Sequence, residues 1–244
     1  MLLAFFSDIH GNLPALKAAL ADAKRRGADR LYCAGDLVGY GPFPDEVCRL
    51  LAEKKIPTIL GNYDAKALAA LRRPEDFKKG MKPGKWKILN WTRKHIGSAS
   101  AKFLEGLPDC RRETLAGRFR LFVVHGSPLS VEDTIYPSIT RRGLEGKLSG
   151  EKPDILVCGH THIPFVKRFA RIIVVNCGSV GQPLDGDPRP SYALMDIEKG
   201  GSPTVRIIRF TYPYEELAKA IENSSLPPIL ANDFRKGDKK REKA

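Results

Sequence analysis

Five apolar runs in this chain each stop at a carboxylate, an amide or an imidazole, and that recurrence constrains the fold more than any other feature. Leu2 to Phe6 runs into Ser7-Asp8-Ile9-His10, Arg30 to Ala34 into Gly35-Asp36, and Ile56 to Leu60 into Gly61-Asn62-Tyr63-Asp64. Phe119 to Val124 runs into His125-Gly126, and Ile155 to Cys158 into Gly159-His160-Thr161-His162. In parallel α/β sheets the carboxyl ends of strands open onto a common crevice. Separate segments should therefore deliver polar donors to one edge, a convergence that packing alone does not explain.

The runs alternate with helical patterns in the first half. Pro14 suits a first helical turn, Leu13, Leu16, Leu20 and Ala23 form an apolar stripe, and Gly27 ends it. With a second helix over Pro44 to Lys54, the order is strand, helix, strand, helix, strand, the pattern of a parallel sheet with right-handed crossovers. Residues 64–108 read as mostly helical, with Trp86, Leu89, Trp91 and Phe103 as packing residues. The second half is richer in strands: Arg118 to Val124, Asp154 to Cys158, Phe165 to Phe169, Ile172 to Val175, Ser191 to Asp196 and Thr204 to Phe210. A helix over Tyr214 to Asn223 follows, then a proline-containing segment and a basic tail.

With 244 residues, 42% of them hydrophobic and 28% charged, the composition is that of a globular protein with a sizeable core. No apolar stretch approaches the roughly 20 residues that span a bilayer. The opening Leu2 to Phe6 run has no basic segment before it and stops at Ser7-Asp8, so it reads as a buried strand and not a signal peptide. Cytoplasmic placement is the expectation. The five cysteines (Cys33, Cys48, Cys110, Cys158 and Cys177) are scattered without a CxxC pair, as expected of small buried hydrophobes in a reducing compartment. The net charge is +13, and only part of it lies in the six basic residues of the 235–244 tail, so the body is basic too. A basic surface favours anionic partners such as nucleotides, phosphorylated metabolites or nucleic acid. The plainer reading of the tail is a solvated charge run.

The polar residues suit metal ions. Asp-x-His and His-x-His place two donors on the same side of an extended segment. Mixed oxygen and nitrogen donors favour manganese, iron, nickel, cobalt or zinc over calcium or magnesium. Manganese is the first choice. Two ions about 3.5–4 Å apart, sharing one carboxylate, are a recurring device for phosphoryl chemistry. Each motif alone is weak, and a lone histidine after a strand is commonly structural. Four of the five histidines, however, fall inside the motifs.

At these residues the sequence resembles the calcineurin-like metallophosphoesterases, and within them the small bacterial and archaeal phosphodiesterase-like branch. The matching strings are SDIHGN (7–12), GDLVGYGP (35–42), GNYD (61–64), HGSP (125–128), GHTH (159–162) and NCGSVGQPLDGD (176–187). The resemblance spans residues 7–187 and implies an α/β fold, a four-layer α-β-β-α sandwich of two mixed sheets; the domain is expected over residues 1–234. It makes Asp8, His10 and His162 ligands of one metal, Asn62, His125 and His160 ligands of the other, and Asp36 the bridge. Asp36, Asn62 and His125 also take the catalytic roles, in which a water or hydroxide held between two divalent transition-metal ions attacks phosphorus. The implied substrate is a phosphorylated small molecule or a nucleotide, with no membrane partner.

Two departures shape the expected specificity. Many relatives read GNHD where this chain has Tyr63, and a phenol with an ordinary pKa near 10 is a poor proton donor at neutral pH. Diesters and anhydrides, whose leaving groups need little protonation, are therefore favoured over alkyl monoesters. The remaining histidine, His95, has nothing to aim it at the site. In the 176–187 loop Cys177 stands where relatives carry proline and Leu184 where they carry arginine. Asn62, Tyr63, Tyr40 and Arg189 are the candidate substrate contacts, with packing as the plainer reading of Tyr40. Two alternatives remain: a metal- or protein-binding scaffold, as in relatives with degraded sites, and a nuclease. Against the nuclease, no aromatic-interleaved basic stripe is present.

Overall fold

In a computed structural model that describes residues 1–236, the chain forms two β-sheets. The first contains β1 (Leu2–Phe6), β2 (Arg30–Cys33), β8 (Ser191–Asp196) and β9 (Thr204–Arg209) in the order β2-β1-β8-β9. The second contains β3 (Cys110–Leu115), β4 (Phe119–Val124), β5 (Ile155–Cys158), β6 (Phe165–Phe169) and β7 (Ile172–Asn176) in the order β3-β4-β5-β7-β6. Both sheets are mixed. β1 runs parallel to β2, and β4, β5 and β7 are mutually parallel, while β8, β9, β3 and β6 pair antiparallel.

The continuous apolar strands follow from burial on both faces. In β1, Leu3 and Phe5 meet Leu121, Val123, Ile155 and Val157 of the second sheet, and Tyr32 stacks on Phe5. Ala4 and Phe6 point the other way, onto Leu16 and Ala19 of α1 (Leu13–Arg25) and Val47 and Leu51 of α2 (Pro44–Glu53). Phe122, Leu156 and Val174 form the outer face of the second sheet, covered by Leu144 of α7 (Arg141–Lys147). Helix, sheet, sheet, helix is the layer order expected from the sequence.

Expected and observed elements differ at several points. Ile56 to Leu60 is not a third strand: only a bridge joins Thr58 to Cys33. The Cys33 amide donates to Pro57 and the Ile59 amide donates to Cys33, but Leu60 then donates to Pro108, which draws the chain off the sheet. The helical 64–108 segment resolves into α3 (Asn62–Arg72), α4 (Pro74–Gly80), α5 (Pro83–His95) and α6 (Ser98–Glu105). Of its expected packing residues Leu89 is buried and Trp86, Trp91 and Phe103 half-buried. After α8 (Tyr214–Glu222) a further helix, α9 (Ile229–Lys236), packs Leu230 and Phe234 against Leu217 and Ile221. That helix contains Arg235 and Lys236 of the expected tail, whose remainder, 237–244, lies outside the described residues. The cysteines are free, four buried and Cys110 partly exposed. Among the described residues no helix is long and apolar enough to cross a membrane.

Candidate metal centre

The parallel pairs β1–β2 and β4–β5 end at the same edge of the two sheets, and the loops beyond them interlock. The amides of Asp8, Ile9, His10 and Gly11 donate to the carbonyls of Gly35, Asp36, Asp36 and Leu37, so the first two polar loops run side by side. Asp64 joins the third: its Oδ1 accepts from the Leu37 and Val38 amides, and its Oδ2 from Gly61 at the start of α3. Burial, with the charge of Asp36 adding to it, pushes the Asp64 carboxyl up to about 7. The 176–187 loop closes the far side. Ser179 Oγ donates to the Asp8 carbonyl at 2.6 Å, and Asn176 Nδ2 donates to the Gly159 carbonyl at 2.7 Å.

The paired donors do not lie on extended segments as expected. Asp8, His10, Asp36, His160 and His162 all have positive φ, between 49° and 64°. Left-handed backbone at non-glycine residues costs on the order of 1–3 kcal/mol each and collects at functional sites. Two glycines make the close approach possible. A Cβ on Gly61 would strike the Asp36 amide and carboxylate, and one on Gly159 would strike Ser7 Oγ and Asp8 Oδ2.

All seven expected donors come together, six of them buried and His160 partly exposed. They form two trios, Asp8–His10–His162 and Asp36–His125–His160, each with its donor atoms within 4.8 Å of one another. Asn62 joins the second, its Oδ1 3.1 Å from His125 Nε2. Asp36 Oδ2 lies between the groups, 3.5 Å from His10 Nε2 and 3.4 Å from His125 Nε2, while its Oδ1 accepts the Tyr63 amide at 2.7 Å.

Three imidazoles are held by backbone carbonyls. His10 Nδ1 faces the Val38 carbonyl at 3.1 Å, His125 Nδ1 that of Ala34 at 2.8 Å, and His162 Nδ1 that of Gln182 at 2.5 Å. An Nδ1–H donated outward leaves each neutral ring with its Nε2 lone pair turned inward, the arrangement of metal-ligating histidines. Asp8 Oδ2 accepts the His160 amide at 2.9 Å, whereas its buried Oδ1 accepts no hydrogen bond. It lies 3.2 Å from His162 Nε2. A buried carboxylate oxygen facing inward-turned nitrogens is a donor set that could hold a metal cation.

The titration behaviour follows from how closely the carboxylates and rings are packed. Burial would raise the Asp8 carboxyl, but His162, His125 and His10 together hold it well below the carboxylate range. Burial pulls His10 down to about 4. For His125 burial also works downward, but Asp36 and Asp8 outweigh it and carry the ring up to about 10.

The other candidates lie differently. Tyr40 and Tyr63 meet hydroxyl to hydroxyl, and both rings stand edge-on to His10, with centroids at 4.9 and 5.4 Å. Burial, then Tyr40, pushes the Tyr63 phenol far above its ordinary range. Arg189 is exposed and paired with Asp187 at 2.7 Å, with no described contact to the seven donors. His95 is exposed and stacks on Trp91. One further residue, Glu132, accepts from Asn62 Nδ2 at 3.1 Å. It lies seven places beyond His125, in a loop with no motif to mark it.

A double set of carboxylates and imidazoles at the strand ends of a two-sheet sandwich could hold two metal ions, as a metallophosphoesterase would. Residues 1–200 match the calcineurin-like phosphoesterase superfamily domain, and the chain belongs to that family. It is 32% identical to an uncharacterized protein of Methanocaldococcus jannaschii, MJ0912, over 94% of this chain and 95% of that one. It is 28% identical to the phosphodiesterase YfcE of Escherichia coli K12, over 80% of this chain and 88% of YfcE. A crystal structure of a metallophosphoesterase from Sphaerobacter thermophilus superposes with a TM-score of 0.79 at 28% identity, covering 97% of this chain and 99% of the other. Family and relatives together support a phosphoesterase hydrolase.

Proposed function

We propose that this protein is a two-metal hydrolase of phosphodiester or phosphoanhydride bonds. The observation that supports the reading is Asp36 Oδ2, which lies 3.5 Å from His10 Nε2 of the first trio and 3.4 Å from His125 Nε2 of its own. Asp8, His10 and His162 would hold one divalent transition-metal ion and Asn62, His125 and His160 the other, with Asp36 shared. Mixed nitrogen and oxygen donors suit manganese first, then iron, nickel, cobalt or zinc. When bound, such ions lower the pKa of water and offset charge on phosphoryl oxygens.

The protein's own contribution is placement. Backbone carbonyls fix the three rings, Asp64 holds the start of α3 against the Asp36 loop, and burial of the donors excludes competing water. Tyr63 and Tyr40 would flank the bound phosphate. A phenol tied to a second phenol and pushed above its ordinary range is a weak proton donor, which favours leaving groups that need none. A nucleotide diester or anhydride fits that requirement and the basic surface. The complete donor set weighs against a scaffold, and the cytoplasm remains the expected compartment.

The test is a reconstitution series. Metal-free protein is loaded with manganese, nickel, cobalt, zinc or magnesium and assayed on aryl diesters, nucleotide anhydrides and alkyl monoesters. Transition-metal-dependent turnover of diesters or anhydrides is the expected result. Metal binding without turnover of any substrate would favour the scaffold.

A further inference from the structure

Asn62 can serve the second trio only if its amide presents oxygen and not nitrogen to it. A free asparagine has no such preference, since its two ends are nearly equal in shape. Glu132 removes the ambiguity. Its carboxylate Oε2 lies 3.1 Å from the outer end of the Asn62 amide, and an ionised carboxylate only accepts hydrogen bonds. The end facing it must be the NH2 group, which leaves Oδ1 turned inward, 3.1 Å from His125 Nε2. The other oxygen, Oε1, pairs with Lys66 Nζ at 2.8 Å, one helical turn beyond Asn62 on α3. A partly exposed glutamate is ionised at neutral pH, so it faces Asn62 as an acceptor only.

We infer that Glu132 is a positioning residue that sets the orientation of the Asn62 amide and thereby the metal affinity of the second trio alone. The inference rests on the two-metal reading above. Glu132 touches none of the three donors of the first trio, nor Asp36, among the described contacts. Its side chain is 55% exposed, and so open an ion pair adds little to stability. Orientation is the contribution left to it.

The experiment titrates Mn2+ into metal-free full-length protein by calorimetry, with equilibrium dialysis to count bound ions, for wild type, Glu132→Gln, Glu132→Ala and Lys66→Met. A glutamine can face Asn62 with either end, so it loses the selection while keeping the shape. The expected result is a loss of about 10–100-fold in affinity for one ion of two in both Glu132 variants, the range for outer partners of metal ligands. The other ion keeps wild-type affinity, as do both ions in Lys66→Met. Thermal melts of the metal-free variants that match wild type accompany that result. Wild-type affinity for both ions in Glu132→Gln and Glu132→Ala overturns the inference. So does an equal loss in Lys66→Met, which would trace the effect to anchoring of the loop. Failure of wild type to bind two ions is a different outcome, since it strikes the two-metal reading before any variant is compared.

Discussion

His10 and His162 face each other through their Nε2 atoms at 3.2 Å, with both Nδ1 atoms committed to backbone carbonyls. In their neutral forms two rings so held oppose lone pair to lone pair, beside the buried Asp8 Oδ1. A metal cation between them would turn that contact from repulsive to attractive. Removing metal should therefore lower stability. At an ion concentration about 100 times the dissociation constant, one site contributes about 2.7 kcal/mol. For a domain of this size that corresponds to roughly 5–10 °C in Tm. Melting curves with chelator and with added Mn2+ measure the difference, and coincident curves would rule out a metal centre here.

Asp36 gives the sharpest test of a shared carboxylate. Asparagine at this position keeps an oxygen to accept the Tyr63 amide, so the fold around α3 should persist. It replaces the negative oxygen between His10 and His125 with a neutral group. Asp36→Asn should lose activity by on the order of 100-fold or more, comparable to removing a principal electrostatic contact. A parallel loss is expected for His160→Ala, whose ring belongs to the second trio. Near-normal metal-dependent turnover in either variant would remove the shared-carboxylate assignment.

A prediction about the fold concerns Asp22. This nearly buried carboxylate on α1 accepts the Tyr192 hydroxyl of β8 at 2.7 Å and pairs with Arg25 and Arg26. Asp22→Ala leaves that hydroxyl without its acceptor and should cost about 1–3 kcal/mol at neutral pH. Burial alone would raise the carboxyl, but the bonds from Arg26 and Tyr192 hold it below its ordinary 3.8. A lowered folded-state value contributes stability above 3.8 and loses it as pH falls through that lower value. Urea melts of wild type and variant should differ most near neutrality and converge in acid.

The strand ends were legible in the sequence because burial on both faces produces unbroken apolar runs, and a run that ends at Asp8 or His125 marks where the sheet meets the site. Ile56 to Leu60 misled for the same reason. It is mostly buried and mostly apolar, but Pro57 and the Leu60 to Pro108 bond leave it a single bridge. β3 was missed because Arg111, Arg112 and Glu113 give an edge strand no apolar run. The metal donors were readable as types in order, whereas their backbone was not. Left-handed φ at Asp8 or His162 is imposed by neighbouring loops and leaves no local signature. Glu132 was invisible because its contacts, to Asn62 and Lys66, are tertiary and leave no mark in the local sequence.

The substrate preference is open to test through Tyr63, whose hydroxyl is engaged by Tyr40 and resists ionisation. If weak proton donation limits the enzyme, histidine at this position should help the substrates that need an acid and leave the others little changed. General acid catalysis contributes about 10²–10⁴-fold where a donor is well placed. An introduced ring lacking the support that evolved around the tyrosine should reach only the lower end. Tyr63→His is therefore expected to raise kcat/KM for alkyl phosphate esters up to about 100-fold relative to aryl diesters. Tyr63→Phe, which removes the phenol but keeps the ring beside His10, should leave aryl diester hydrolysis close to wild type. The measurement is the ratio of kcat/KM for paired alkyl and aryl substrates in the three proteins under one metal. A wild-type enzyme fastest on alkyl monoesters, or a Tyr63→Phe variant that loses aryl diester turnover, would show that the phenol takes part in the chemistry and does not merely flank it.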